Sequence, residues 1–117
     1  METFERRTVQ KIIMWFSASL LFFSEHVGHS VANPLWEEQI ILLQGADEDA
    51  AKAKAELRGK AEEHEYRNAE NHLVRWRFER VERIFQIESE TLADGTEVFS
   101  RFLRDTEVKS LLTPFDT

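Results

Sequence analysis

Between Leu73 and Ile87 the apolar residues change parity: Val74, Trp76 and Phe78 occupy even positions, whereas Val81, Phe85 and Ile87 occupy odd ones. A β-strand sends successive side chains to opposite faces, so a change of parity requires an extra residue. The simplest device is one β-bulge near Glu79-Arg80. Asp94-Gly95-Thr96 downstream reads as a turn. A chain with such a stretch is built around a long, bent strand, and the stretch constrains architecture far more than chemistry.

The flanking segments complete the plan. Residues 1–10 are polar and read as an arm, residues 11–113 as a single domain, and residues 114–117 as a tail. A first strand is expected from Lys11 to Glu25, with Ser17 and Ser19 on one face and Phe16, Ala18, Leu20 and Phe22 on the other. His26 to Pro34 is a loop, and a second strand, antiparallel to the first, runs from Leu35 to Gln44. Its centre, Ile40-Ile41-Leu42-Leu43, is apolar on both faces, which predicts a strand covered from both sides or placed centrally. Asp47 is a helix N-cap, with Glu48 and Asp49 in the first turn where the helix dipole favours acids. Ala50, Ala53, Leu57, Ala61 and His64 recur at helical spacing, and the helix is expected to end between Tyr66 and Asn68. Gly59 costs such a helix about 1 kcal/mol relative to alanine, so either close packing or a kink is expected there. A third strand over Leu73–Ile87, a fourth over Thr96–Leu103, and a short helix capped by Asp105 with Val108, Leu111 and Leu112 finish the chain. The expected fold is α+β: a twisted, mainly antiparallel four-stranded sheet in the order strand-strand-helix-strand-strand, one long helix on a face, and a short C-terminal helix.

Composition narrows the function classes. A chain of 117 residues, 42% hydrophobic and 32% charged, is long enough for one ordinary core. Its formal charge of −7 disfavours a phosphate backbone and favours a basic protein partner. There is no cysteine, so disulfides and thiol catalysis are excluded and a cytoplasmic location fits. Arg6, Arg7 and Lys11 before the apolar run Ile12–Phe23, with Ser30-Val31-Ala32 after it, outline an export signal ending near Ala32 as the alternative. The run is too short to cross a bilayer, and no membrane association is expected.

At the level of motifs the chain resembles the bacterial family of unknown function numbered 4288. The likeness lies in Trp15-Phe16-Ser17-Ala18, Trp36-Glu37-Glu38, the run Glu62 to Asn68, Val74-Arg75-Trp76-Arg77-Phe78, and Asp94-Gly95-Thr96-Glu97-Val98 with Ser100-Arg101. It departs in the polar N-terminal arm and the His26-Val27-Gly28-His29 loop. The resemblance implies a small bacterial domain and carries no assigned activity.

Candidate chemistry is sparse. Glu37-Glu38, Glu62-Glu63-Glu65 and Glu97 would have to converge to hold a divalent cation or act as acid and base, and among 22 acidic residues such clusters arise as a solvated rim. An acid–base or metal-dependent enzyme would use Glu37, Glu63, His64 and Glu97. Of the histidines, His26 and His29 read as exposed loop residues, and His64 as the edge of the helix stripe. Arg75 and Arg77 share a strand face opposite Trp76 and Phe78, so a stacking platform for nucleic acid is missing, and the arginines are expected to pair with Glu79, Glu82 or Glu97, or to meet a carboxylate on another protein. No nucleophile motif or phosphate-binding loop is present, and no cofactor is called for. Nine Phe, three Trp and one Tyr are many for one helix and one sheet to bury. Trp15, Leu21 and Phe23 face away from Phe16, Leu20 and Phe22, leaving either an interface or a face covered by the N-terminal arm or by Leu111, Leu112 and Phe115. The expected function is a non-catalytic interaction module: a homo-oligomer, or an immunity- or inhibitor-type protein binding another protein. Trp15, Leu21, Phe23, Arg75 and Arg77 would be its interface.

Overall fold

A computed structural model describes residues 13–113. The expected N-terminal arm, the start of the expected first strand and the tail with Phe115 lie outside the described residues. The elements are β1 (Met14–His26), β2 (Trp36–Gly45), α1 (Glu48–Ala61), β3 (His64–Arg67), β4 (Leu73–Gln86) and α2 (Asp105–Leu112). One four-stranded antiparallel sheet forms in the order β2-β1-β4-β3, and the fold is α+β.

Each fourth-strand and helix-end expectation is corrected by the same fact. The helix ends at Ala61, and Glu62 caps it through its N–H to the Arg58 carbonyl at 3.1 Å. Residues His64–Arg67 become β3 because the free edge of β4 offers a backbone ladder, whereas further helix would leave Tyr66 without a neighbouring surface. Asn68 and Asn71 make the turn into β4, with Asn71 at φ 65° in the left-handed region that asparagine tolerates. Thr96–Leu103 is not a strand. The Asp94-Gly95 turn closes with Thr96 N–H on the Ala93 carbonyl at 3.0 Å, and an irregular segment follows, from which Phe99 packs on Phe85 at 5.9 Å.

β4 carries two bulges, not one. Its register against β1 shifts between Ser19 and Leu20 and again between Leu21 and Phe22, leaving Glu82 and Glu79 without partners. The bulge at Glu79 accounts for the change of parity. The bulge at Glu82 reverses it, so Ile84 rather than Phe85 joins Phe78 and Val81 on the α1 side. Paired bulges also bend and twist the strand, which curls the sheet around the helix.

The core lies between α1 and Phe16, Ala18, Leu20 and Phe22 of β1, with Ile41, Leu43, Trp76, Phe78, Val81 and Ile84 around it. The helix stripe is Ala51, Ala55 and Gly59, not the expected Ala50–Ala53–Leu57–Ala61 set, and Leu57 is 72% exposed. A stripe of the smallest residues lets the helix approach the sheet closely, and Gly59 lies against the Phe78 ring, so close packing rather than a kink explains that glycine. Asp47 caps the helix as expected, its carboxylate accepting from Ala50 N–H at 2.8 Å.

β2 is an edge strand, correcting the expectation of a central one. Its two-sided apolar run has Ile41 and Leu43 turned to the core and Ile40 and Leu42 to the opposite face. The C-terminal helix does not cover that face: α2, which starts one residue after its N-cap Arg104, has no buried residue, and Leu111 and Leu112 are exposed.

Candidate functional site

The sheet face turned away from α1 gathers the interface set expected from sequence. Residues directly opposite one another on neighbouring strands share a face. Phe23 lies opposite Arg77, and Glu25 opposite Arg75, while Leu21 and Trp15 follow on β1 at the same parity. The two bulges add Arg80 and Arg83, opposite Leu21 and Ser19, so four arginines form one row along β4.

That row is electrically quenched. Arg75 meets Glu65 at 3.0 Å and Glu25 at 3.7 Å, Arg77 meets Glu25 at 3.3 Å, Arg80 meets Glu79 at 2.9 Å, and Arg83 meets Glu82 at 3.6 Å. Glu79 and Glu82 are expected partners; Glu97, also expected, is not among them. Trp76 and Phe78 turn to the α1 side as expected, and the aromatics that do reach this face come from the neighbouring strands, Phe23 packing on Trp36 at 5.3 Å. With each guanidinium opposed by a carboxylate, the face still lacks the net positive charge that phosphate binding needs. Because these pairs are half-exposed, we expect Arg75→Glu with Arg77→Glu to lower unfolding stability by only about 1 kcal/mol, as read by urea denaturation.

Sequence reasoning missed the residues that make the face apolar at its rim. Trp36, Ile40 and Leu42 of β2 are 51%, 50% and 44% exposed. The available signal was the even-numbered apolar set of β2, misread because a two-sided apolar strand is usually an interior one.

The carboxylate–histidine set is split. Glu37 and His64 line one cavity of about 500 Å³ with Leu35, Tyr66 and Trp76. Glu63 lines the adjoining cavity, which His64 also lines, and its carboxylate accepts from Phe78 N–H at 2.8 Å. Glu97 lines a third cavity, with Phe85, Ile87 and Asp94. His64 belongs to β3 rather than to the helix, and its Nδ1 lies 3.0 Å from the Glu62 carbonyl. A carbonyl only accepts, so Nδ1 is the donor in this contact.

The remaining histidines gather where the β1–β2 loop meets the start of β4. The rings of His29 and His72 stack at 3.8 Å and 12°, with His26 edge-on to His72 at 5.9 Å. Among the described residues no group of three or more His, Asp or Glu is arranged to hold a metal ion.

No helix among the described residues is long and apolar enough to cross a membrane. No curated protein and no solved structure matches the chain. One family model does, that of a domain of unknown function, DUF4288, over residues 15–100. That match takes in all four strands and α1, and the chain belongs to the DUF4288 family.

Proposed function

We infer that this protein is a non-catalytic, self-associating module of the bacterial cytoplasm, and that two copies join through the outer edge of β2. The observation that carries the reading is a coincidence of backbone and side chain along that edge. Ser24 N–H donates to the Leu35 carbonyl at 2.9 Å, which makes the odd residues of β2 the ones hydrogen-bonded to β1. The N–H and C=O groups of Trp36, Glu38, Ile40, Leu42 and Gln44 therefore point outward. Lys54 Nζ bonds the Gln44 carbonyl at 2.7 Å, in keeping with that direction. The others find no backbone partner among the described residues. The same positions carry the half-exposed Trp36, Ile40 and Leu42.

An edge of this kind is normally blunted by lysine, proline or a bulge. β2 has ten residues with no proline, no basic residue and no register shift. Antiparallel pairing with a second β2 satisfies the outward groups of both copies and extends the apolar face into its symmetry mate. Such an interface is isologous and closes as a dimer.

Ile40→Pro tests it. The Ile40 N–H points away from β1, so proline there removes an outward donor while sparing the β1 ladder. Sedimentation equilibrium is expected to give a dimer for the wild type and a monomer for Ile40→Pro and Ile40→Lys, with circular dichroism unchanged. A wild-type monomer at every concentration overturns self-association. Charge reversal at Arg75 and Arg77, two strands from the edge, is expected to leave the dimer intact; loss of the dimer there would move the interface to the arginine row. The rival reading, an immunity- or inhibitor-type protein, rests on the formal charge of −7. A monomer that retains a stoichiometric, salt-released partner in a pull-down would decide for it.

A further inference from the structure

We propose that the cleft between the two edges of the curled sheet, on the α1 side, binds a small organic cation of the quaternary ammonium type. Leu35, Trp36 and Glu37 come from the start of one edge, β2 and the residue before it, and His64 and Tyr66 from the other, yet all line one cavity of about 500 Å³ with Trp76. A flat sheet would hold these edges apart. The bulges of β4 supply the curl, and α1 ends at Ala61, leaving this end of the concave face open.

The chemistry of the lining selects charge and type. Trp76 and Tyr66 supply aromatic rings of the kind that attract a cation, with indole the strongest of the side-chain rings, and Tyr66 stacks on His64 at 6.1 Å. Glu37 supplies the countercharge. Its carboxylate accepts from Gln39 Nε2 at 3.2 Å and has no cationic partner among the described residues, in contrast to the paired glutamates of the opposite face. The carbonyl end of α1, which leads through Glu62 and Glu63 into His64, adds negative potential on the same side. No lysine or arginine lines the cavity, whose one basic side chain is the His64 imidazole. Arg75 and Arg77 line the adjoining one and are held by Glu65 and Glu25. A primary ammonium or guanidinium needs several acceptors to replace its water. A quaternary ammonium has no N–H to satisfy and is suited to two rings and a single carboxylate.

Choline and its neutral isostere 3,3-dimethylbutan-1-ol, which have the same shape but differ in charge, separate a cation site from an apolar cleft. Each is titrated into the full chain while the three indole N–H resonances are followed by NMR. Saturable movement of the Trp76 signal with choline is expected at a Kd of about 1 mM, with the isostere at least about tenfold weaker. Glu37→Gln, which keeps the side chain's shape, is expected to weaken choline about threefold to tenfold while leaving the isostere unchanged. Equal binding of the two compounds, equal affinity in Glu37→Gln, or no saturable shift below about 20 mM overturns the proposal. Trp36 belongs both to the cleft and to the β2 edge, so the Ile40→Lys variant, which keeps every lining residue, is titrated in parallel to separate this proposal from the dimer reading.

Discussion

Truncating Phe22 to alanine is expected to cost about 3–5 kcal/mol of unfolding free energy, enough to consume a large part of the stability of a domain this size. Phe22 is one of the largest fully enclosed groups besides Phe16, and its ring meets that of Phe78 at 5.6 Å. Phe78 in turn lies under Gly59 of α1, so a cavity at Phe22 opens where β1, β4 and the helix meet. The small residues of α1 cannot lean in to fill it, because alanine and glycine have no side chain to rearrange. Incomplete collapse of this sort places a substitution at the upper end of the range for large-to-small changes. Equilibrium urea denaturation measures it, with Phe102→Ala as the control. Phe102 is fully exposed, and its loss should stay within about 0.5 kcal/mol. A Phe22 effect no larger than the Phe102 effect would show that the helix does not seat on β1 and β4 as described.

The second large effect runs against helix propensity. Alanine in place of an interior helical glycine ordinarily stabilises by about 1 kcal/mol. At Gly59 the added Cβ would lie within van der Waals overlap of the Phe78 ring, 2.5 Å from Cδ1 and 2.7 Å from Cζ. The Phe78 ring is partly buried and packed against Phe22, so either the ring must shift out of that contact or the helix must lift. Gly59→Ala is expected to destabilise by about 1–3 kcal/mol, and Gly59→Val by more, since a branched Cβ adds a second clash. The cause can be isolated by a double-mutant cycle: combined with Phe78→Leu, the penalty at Gly59 should fall by more than half. Additive effects would mean that the glycine is required for some reason other than the ring beneath it.

How much of this was legible in the sequence depended on the range of the interaction that decided each feature. Local chemistry was readable. Asp47 announces a helix start because its carboxylate bonds an amide three residues away. Alternation along Trp15–Phe23 announces a strand and assigns Trp15, Leu21 and Phe23 to one face, because side-chain direction has a period of two whatever the neighbours. The parity change in β4 announced a bulge for the same reason, and the motifs placed the chain in its family.

Features set by a distant partner were not readable. Residues His64–Arg67 continue a helical pattern in composition, and only the unpaired edge of β4 turns them into a strand. The second bulge was hidden because two insertions restore the parity that one changes. The seated stripe of α1 was missed because Leu57 is a better apolar residue than Gly59, while close approach to Phe78 rewards having no side chain at all. The position of β2 at the edge, and with it the outward backbone of Ile40 and Leu42, depends on strand order, which a single strand's pattern does not encode. The candidate site follows the same division. Glu37 and His64 stood out in the sequence as titratable groups, but the cavity they share exists only because a curled sheet brings its two edges together, and that same curl carries Glu97 to a different cavity. Pattern along the chain settled each element's faces; hydrogen-bond satisfaction between elements and steric fit beneath the helix settled which elements exist, in what order, and what they enclose.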